Sequence, residues 1–267
     1  MAQRRHDKNR YTYDNESGSA RQQLNLLAEI LDGHSLHVLD SLPVRPGWRV
    51  LDVGSGSGSV SRLLSERVGP SGSVTAMDVD SRHLDTGRAV EIYRADIRDA
   101  ALPPAHYDLI HARLVLMHLE TRDKVLDRLV EALRPGGALV ISDWDCTWQD
   151  WLVHGADPDA AAAFLKMQGI MLGLMESNGA DLAWARRAPA AMRKAGLTGI
   201  TTTAWNQLYA GGEAGAMLQH NNTYQLEYSL LGRGLSGAEL AAVRTAMTDP
   251  ETLLYTYLMF SSIGYRP

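Results

Sequence analysis

Residues 50–60 read VLDVGSGSGSV. The apolar start, with no polar alternation apart from Asp52, is the pattern of a strand covered on both faces. Gly54, Gly56 and Gly58 then alternate with serines, and a helical pattern, VSRLLSERV, follows at once. A buried strand that runs through closely spaced glycines into a helix is a ligand turn. Glycine lets backbone amides approach a ligand with no Cβ in the way. The helix behind adds unpaired N–H groups and the positive end of its dipole. The spacing differs from the dinucleotide fingerprint G-x-G-x-x-G, because the third glycine comes one residue early. No G-K-[ST] follows, so a phosphate loop of the NTPase kind is excluded.

Outward from this turn, strands and helices alternate. WRVLDV (48–53), SVTAMDVD (73–80), AVEIYRAD (89–96), YDLIHA (107–112) and ALVISDWD (138–145) read as strands. Helices are expected at 60–68, over DSRHLDTG up to Gly87, and at about 121–133, stopped by Arg134–Pro135–Gly136–Gly137. That order predicts right-handed crossovers and a parallel sheet, an α/β doubly wound fold. A helical pattern precedes it in SARQQLNLLAEILDGHSL, where Leu24, Leu27 and Leu31 recur at spacing three and four.

The pattern changes after residue 145. Asp157–Pro158 marks the start of a helix over about 158–176, followed by helices at 181–194 and 213–231. Ser236 and Glu239 have capping-box spacing for one more. GITTTAW (199–205) and YTYLMFSSIGYR (255–266) read as strands. The chain thus divides into an N-terminal arm and helix (1–42), a core (43–146) and a helical cap with the last two strands (147–267).

The crevice of an open parallel sheet lies at the carboxyl ends of its strands. Asp78 ends the second strand, where an acid can hydrogen-bond both hydroxyls of a ribose. Asp96, in RADIRD, ends the third and can meet the amino group of an adenine. A backbone cradle, a ribose acid and an adenine acid together describe a nucleoside that carries something other than phosphates.

These segments resemble, in order, the motifs of class I S-adenosylmethionine-dependent methyltransferases: LDVGSGSG the first motif, AMDVD the ribose segment, ADIRD the adenine segment, and LRPGGALVISD the lead into the fifth strand. The resemblance covers about residues 45–145 and points to the small-molecule, natural-product branch. It implies a Rossmann-like, mostly parallel seven-stranded sheet with an antiparallel last strand and helical lid insertions. It implies S-adenosylmethionine as cofactor, and S-adenosylhomocysteine as product. Carried onto this chain, the cofactor-binding residues are Asp52, Gly54, Ser55, Gly56, Gly58, Asp78, Val79, Asp96, Ile97, His111, Ala112 and Arg113. Related enzymes fold an N-terminal segment over the cofactor, so Tyr11, Tyr13 and Arg21 are candidates there, with Tyr11 toward the substrate.

The cofactor's methyl group is already electrophilic, so the protein must align the nucleophile, exclude water and, for oxygen or nitrogen acceptors, take a proton. His118, just past the fourth strand, titrates near neutrality and is a candidate base. Some natural-product relatives of this fold place a histidine in a similar L-x-H segment and an acid at the end of strand five, a place that Asp143 matches. The competing reading makes His118 a helix-start residue that touches no substrate. Trp144 and Trp148 are expected to stack on a flat acceptor or to pack the inserted helices. Cys146 is read as a small buried residue. In the 213–231 helix, Asn221, Tyr224 and neighbouring His220 suggest a lid meeting polar substrate groups, with a dimer contact as the alternative. The methionine-rich helices at 158–194 suit a lid, a subunit interface or core packing.

Composition bounds the rest. The 267 residues are 45% hydrophobic and 21% charged, with 26 basic against 31 acidic residues and a net charge of −5. Nucleic acid is not the expected partner. No N-P-P-Y-like segment follows the fourth strand, which disfavours amino groups on bases. His111 stands where metal-dependent relatives need an acid, so no metal is expected. One cysteine, no apolar leader after MAQRRHDKNR and no apolar run of spanning length point to the cytoplasm. The expected activity is in-line methyl transfer to O, N or C of a small molecule, with a homodimer left open. A cyclase that retains the methyl group, and a peptide- or protein-modifying enzyme, are the alternatives.

Overall fold

The computed structural model describes residues 19–87, 89–148, 152–155 and 157–267. Its centre is a seven-stranded sheet of order β3-β2-β1-β4-β5-β10-β7. The first five strands are parallel: β1 (Arg49–Val53), β2 (Ser73–Asp78), β3 (Val90–Arg94), β4 (Tyr107–Arg113) and β5 (Leu133–Asp145). β10 (Leu258–Tyr265) runs antiparallel between β5 and β7 (Thr198–Trp205). This is the doubly wound, mostly parallel sheet that the motif order implies.

Burial follows the sequence pattern. β1 exposes only Arg49, and β4 is buried from Tyr107 to Ala112, because helices cover both faces. On one face α1 (Ala20–Asp40) and α2 (Ser59–Val68) bury Val38, Leu39, Leu64 and Val68 against Val50, Val74 and Val140. On the other, α3 (Arg122–Ala132), α4 (Pro158–Ser177) and α5 (Trp184–Lys194) enclose Ile110, Leu139, Phe164, Met171 and Met192. Each fully buried leucine or methionine here contributes about 2 kcal/mol.

Helix ends sit where the local chemistry places them. Asp157 caps α4 by accepting from the amides of Asp159 (2.9 Å) and Ala160 (3.3 Å). Ser236 and Glu239 form a reciprocal capping box at the start of α8 (Gly237–Ala246).

Three elements differ from expectation. The segment after β2 makes a single 3₁₀ turn, Ser81–His83, because the Asp80 carboxylate turns back onto the Arg82 amide and guanidinium. The long helix splits into α6 (Ala214–Gln225) and α7 (Glu227–Gly232). At the break, the Thr223 carbonyl accepts from Arg244 Nη2 at 3.2 Å, and the same guanidinium holds Glu227 at 2.8 Å. The C-terminal strand is also two: β9 (Leu253–Tyr255) leaves the main sheet to join β6 (Leu152–His154) and β8 (Leu208–Ala210) in a small sheet of order β6-β9-β8. Strands of three residues are too short for period-two alternation to reveal. No helix among the described residues is long and apolar enough to cross a membrane.

Candidate active site

The glycine turn is held open by backbone bonds. The amides of Gly54 and Ser55 donate to the Met77 carbonyl at 2.8 and 3.1 Å, tying the end of β1 to the end of β2. Gly54, Gly56 and Gly58 all have positive φ, from 56° to 82°. A Cβ on Gly54 would overlap Val115, and one on Gly58 would overlap Thr86. One on Gly56 would come within 3.2 Å only of the flexible Leu24 tip. Asp78 accepts from the Gly56 amide (2.9 Å) and the Asp80 amide (3.0 Å), so its carboxylate is fixed at the rim of the turn. Burial raises its pKa against the pull of these two bonds.

These groups line a cavity of about 470 Å³ across the strand ends. Its walls are Gly54–Ser57 after β1, Asp78–Asp80 after β2, Ala95–Arg98 after β3, Arg113–Val115 and His118 after β4, and Leu24 and Leu27 from α1. Val79 is half-exposed at the rim. Arg98 folds back over Asp96, its Nε and Nη2 2.9 and 2.6 Å from Oδ2, and holds that carboxyl below its usual range. The residues fit S-adenosylmethionine: an amide cradle that side chains would fill, an anchored acid beside it and a second acid one strand further on, with no lysine among the described lining residues. When bound, that cofactor supplies an electrophilic methyl group.

Several expected cofactor contacts lie elsewhere. Asp52 and His111 are buried beneath the turn as a pair, 2.8 Å apart, with Ser61 Oγ donating to Asp52 at 2.5 Å. They brace the strand end and do not line the cavity. Ala112 alternates to the opposite face and is buried, while its neighbour Arg113 reaches the wall. Gly58 serves as the N-cap of α2. Arg113 is already engaged, its Nη1 2.9 Å from Asp32 and 2.8 Å from Ser35. Arg21 is exposed on the first turn of α1 and is not among the lining residues. Tyr11 and Tyr13 lie outside the described residues.

A second, smaller recess of about 30 Å³ shares Leu27, Leu114 and His118 with the large cavity. Leu114 has φ +55°, a strained value for a bulky side chain. Its amide is held by the Ser142 carbonyl (2.8 Å), and the Val115 amide by Asp143 Oδ1 (3.1 Å). Arg122 braces the same turn from below, donating to the Leu116 carbonyl (3.2 Å). His118 is half-buried at the wall shared by the two cavities, and desolvation, followed by the nearby Arg122 charge, pushes its pKa down to about 4. It is therefore a neutral imidazole at physiological pH.

Asp143 is not on either wall. It is fully buried, its pKa pushed up to about 8 by burial, and its oxygen serves the loop backbone. That place sets it apart from the cavity walls, where a catalytic acid or base is expected. Trp144 and Cys146 do line the recess, and burial pushes the Cys146 thiol well up. Trp148 instead lies partly exposed beside Tyr255, ring centres 6.0 Å apart.

Helix α6 is turned differently from the expected lid face. Leu218, Gln219 and Asn222 line the recess. Asn221 points toward α1, donating to the Ser19 carbonyl at 3.3 Å. Tyr224 is half-exposed under the Arg244 guanidinium (3.8 Å) and against His220. Buried Gln219 bonds to Gln168 of α4, and that pairing fixes the rotation of the helix. The sequence reading missed Gln168, Gln219, Asn222 and Tyr257; a glutamine inside the apolar run FLKMQGIML was the readable signal. Among the described residues no group of His, Cys, Asp and Glu could hold a metal ion.

A model of the methyltransferase domain family matches residues 14–198. A ubiquinone/menaquinone biosynthesis C-methyltransferase from Laribacter hongkongensis is 28% identical over 144 residues, covering 49% of this chain and 59% of that protein. The chain thus matches little more than half the length of such relatives. Among solved structures, phosphoethanolamine N-methyltransferase 2 of Haemonchus contortus superposes with a TM-score of 0.60 at 14% identity, over 97% of this chain and 60% of the other. The YcgJ protein from Bacillus subtilis gives 0.55 at 14% identity, over 88% and 98%. At such identities these two structures speak for the fold alone. The family model spans most of the chain, the glycine turn included, so this protein belongs to the class I S-adenosylmethionine-dependent methyltransferases.

Proposed function

We propose that the protein transfers the methyl group of S-adenosylmethionine to a small, uncharged acceptor that meets the donor at the junction of the two cavities. The observation that carries this reading is the lining of the recess. Among the described residues it contains no Asp, Glu, Lys or Arg, and its one histidine is held neutral. A carboxylate, phosphate or ammonium entering it would lose its hydration with no opposite charge in reach. A flat apolar acceptor would lie against Leu27 and Leu114 at the junction, with only a small substituent entering toward Met117 and Trp144.

The chain's own groups have distinct tasks. The amide cradle and Asp78 bind and orient the donor. Leu114 and Leu27 exclude water at the junction. The neutral His118 imidazole accepts a hydrogen bond from an acceptor hydroxyl, or takes the proton that leaves as the new bond forms. Its low pKa suits an acceptor that is already a good nucleophile, such as a phenol or an electron-rich ring carbon. The relatives named as C-methyltransferases of ubiquinone and menaquinone biosynthesis favour carbon, although they match only half of this chain. Residues 20–42 and the segment after 147 act as lid and cap in this reading.

The test is a turnover assay with labelled S-adenosylmethionine against neutral phenols and hydroquinones, and against carboxylates, amines and phosphate esters. Methylated product and S-adenosylhomocysteine should form only with the neutral group. Product from the charged group alone would overturn the reading. A transformed acceptor with the methyl group kept on the donor would favour the cyclase alternative.

A further inference from the structure

Resting on that reading of the recess, we infer that Trp144 and Asn222 form a recognition site for a neutral hydroxyl group on the acceptor, pre-oriented by a chain of buried amides. The chain begins at Tyr257, whose hydroxyl donates to Gln168 Oε1 at 2.8 Å. Gln168 Nε2 donates to Gln219 Oε1 at 2.7 Å, and Asn222 Nδ2 donates to the same oxygen at 3.4 Å. Asn222 Nδ2 also lies 3.7 Å from Met171 Sδ. Tyr257, Gln168, Gln219 and Asn222 are all buried, and they come from three separate parts of the chain.

The direction of this relay has a consequence for the amide at its end. With Nδ2 turned toward Gln219, Asn222 Oδ1 is left buried with no partner among the described residues. Trp144 Nε1 is also buried and without a partner among the described residues. Both side chains are more than nine-tenths buried and both line the same recess. Buried polar atoms are almost always satisfied, so two such atoms on side chains that line one small recess point to a ligand that supplies both bonds. One is a donor and the other an acceptor. A hydroxyl, alone or beside a carbonyl on the adjoining carbon, answers both; an ether or a halogen answers only one. About 30 Å³ admits one or two heavy atoms, which makes the recess a seat for a polar head and leaves the ring at the Leu114 and His118 junction.

The experiment uses the full chain saturated with S-adenosylhomocysteine and three matched probes: 2-naphthol, 2-methoxynaphthalene and 2-naphthoate, titrated by saturation-transfer NMR. The wild-type protein should prefer 2-naphthol over its methyl ether by roughly tenfold and should reject the naphthoate. Trp144→Phe keeps the ring and removes the N–H; Asn222→Leu keeps the bulk and removes the oxygen. Each should abolish the preference for naphthol over the ether, while S-adenosylmethionine affinity by calorimetry stays within twofold of wild type. Equal binding of naphthol and ether to the wild-type protein, a preference that survives both substitutions, or no binding of either would overturn the site. An ordered water that stays between Trp144 and Asn222 in a crystal soaked with 2-naphthol would also overturn it. Turnover of a neutral acceptor at unchanged kcat/KM in both variants would sink this inference and leave the proposed function standing; turnover of charged acceptors alone would sink both.

Discussion

The two halves of the site are built in different ways. On the donor side, backbone does most of the binding, and the contacts are short-range: Gly56 meets Asp78 across a single crossover. On the proposed acceptor side, side chains would do the binding, and their partners are far apart in sequence. Gln168 pairs with Gln219, and Tyr257 reaches back to Gln168. A backbone cradle fixes one ligand shape and tolerates little change. A side-chain cluster can be re-specified one residue at a time.

The largest expected effect lies on the donor side. Gly54→Val combines a positive φ with overlap onto Val115, and should weaken S-adenosylmethionine binding at least a hundredfold, about 3 kcal/mol, by calorimetry. Gly56→Ala, whose Cβ meets only the Leu24 tip, should cost about 1 kcal/mol. Equal losses at both positions would mean that conformation alone, and not packing of the post-β4 loop, decides. Asp78→Ala removes an anchored carboxylate and should weaken the cofactor by about 2 kcal/mol with kcat little changed.

This division also sets what could be read from the sequence. The glycine turn, the acids at 78 and 96 and the capping box at 236–239 are local patterns, and local chemistry decides them. The placement of Asp52 and His111 was not legible, because strand alternation says that they share a face but not which face holds the ligand. Asp143 looked like a catalytic acid because it ends the strand at the right place. In the fold it turns inward and holds the Val115 amide. The rotation of α6 depends on Gln168, about 50 residues away in sequence, and no helical period can supply that. The polar row at 220–224 reads as a lid face only when its partner is unknown.

Asp143 gives the next effect, on stability. Its folded pKa, about 8, is raised above the ordinary carboxylate value, so the native state keeps a proton that the unfolded state gives up. Stability should therefore fall as pH rises from about 4 to 8, by at most about 1.4 kcal/mol per unit. Asp143→Asn keeps an oxygen for the Val115 amide and should flatten that slope in urea unfolding at pH 5.5 and 8. An unchanged slope would show that Asp143 is already ionised. The smallest effect is on the outer face of the cap: Tyr228→Ala, at a residue 92% exposed, should change stability and turnover by less than about 0.5 kcal/mol. A large loss there would show that the exposed face of α7 takes part in substrate binding.

In the proposed complex the donor lies along the carboxyl ends of β1 to β4 with its sulfur turned to the junction of Leu27, Leu114 and His118. A crystal structure with S-adenosylhomocysteine tests it most directly. The ribose should lie on Asp78, the adenine beside Asp96 and Ile97, and the sulfur should face the recess lined by Trp144 and Asn222. A ligand seated elsewhere, or in the cradle with its sulfur turned away from that recess, would contradict it.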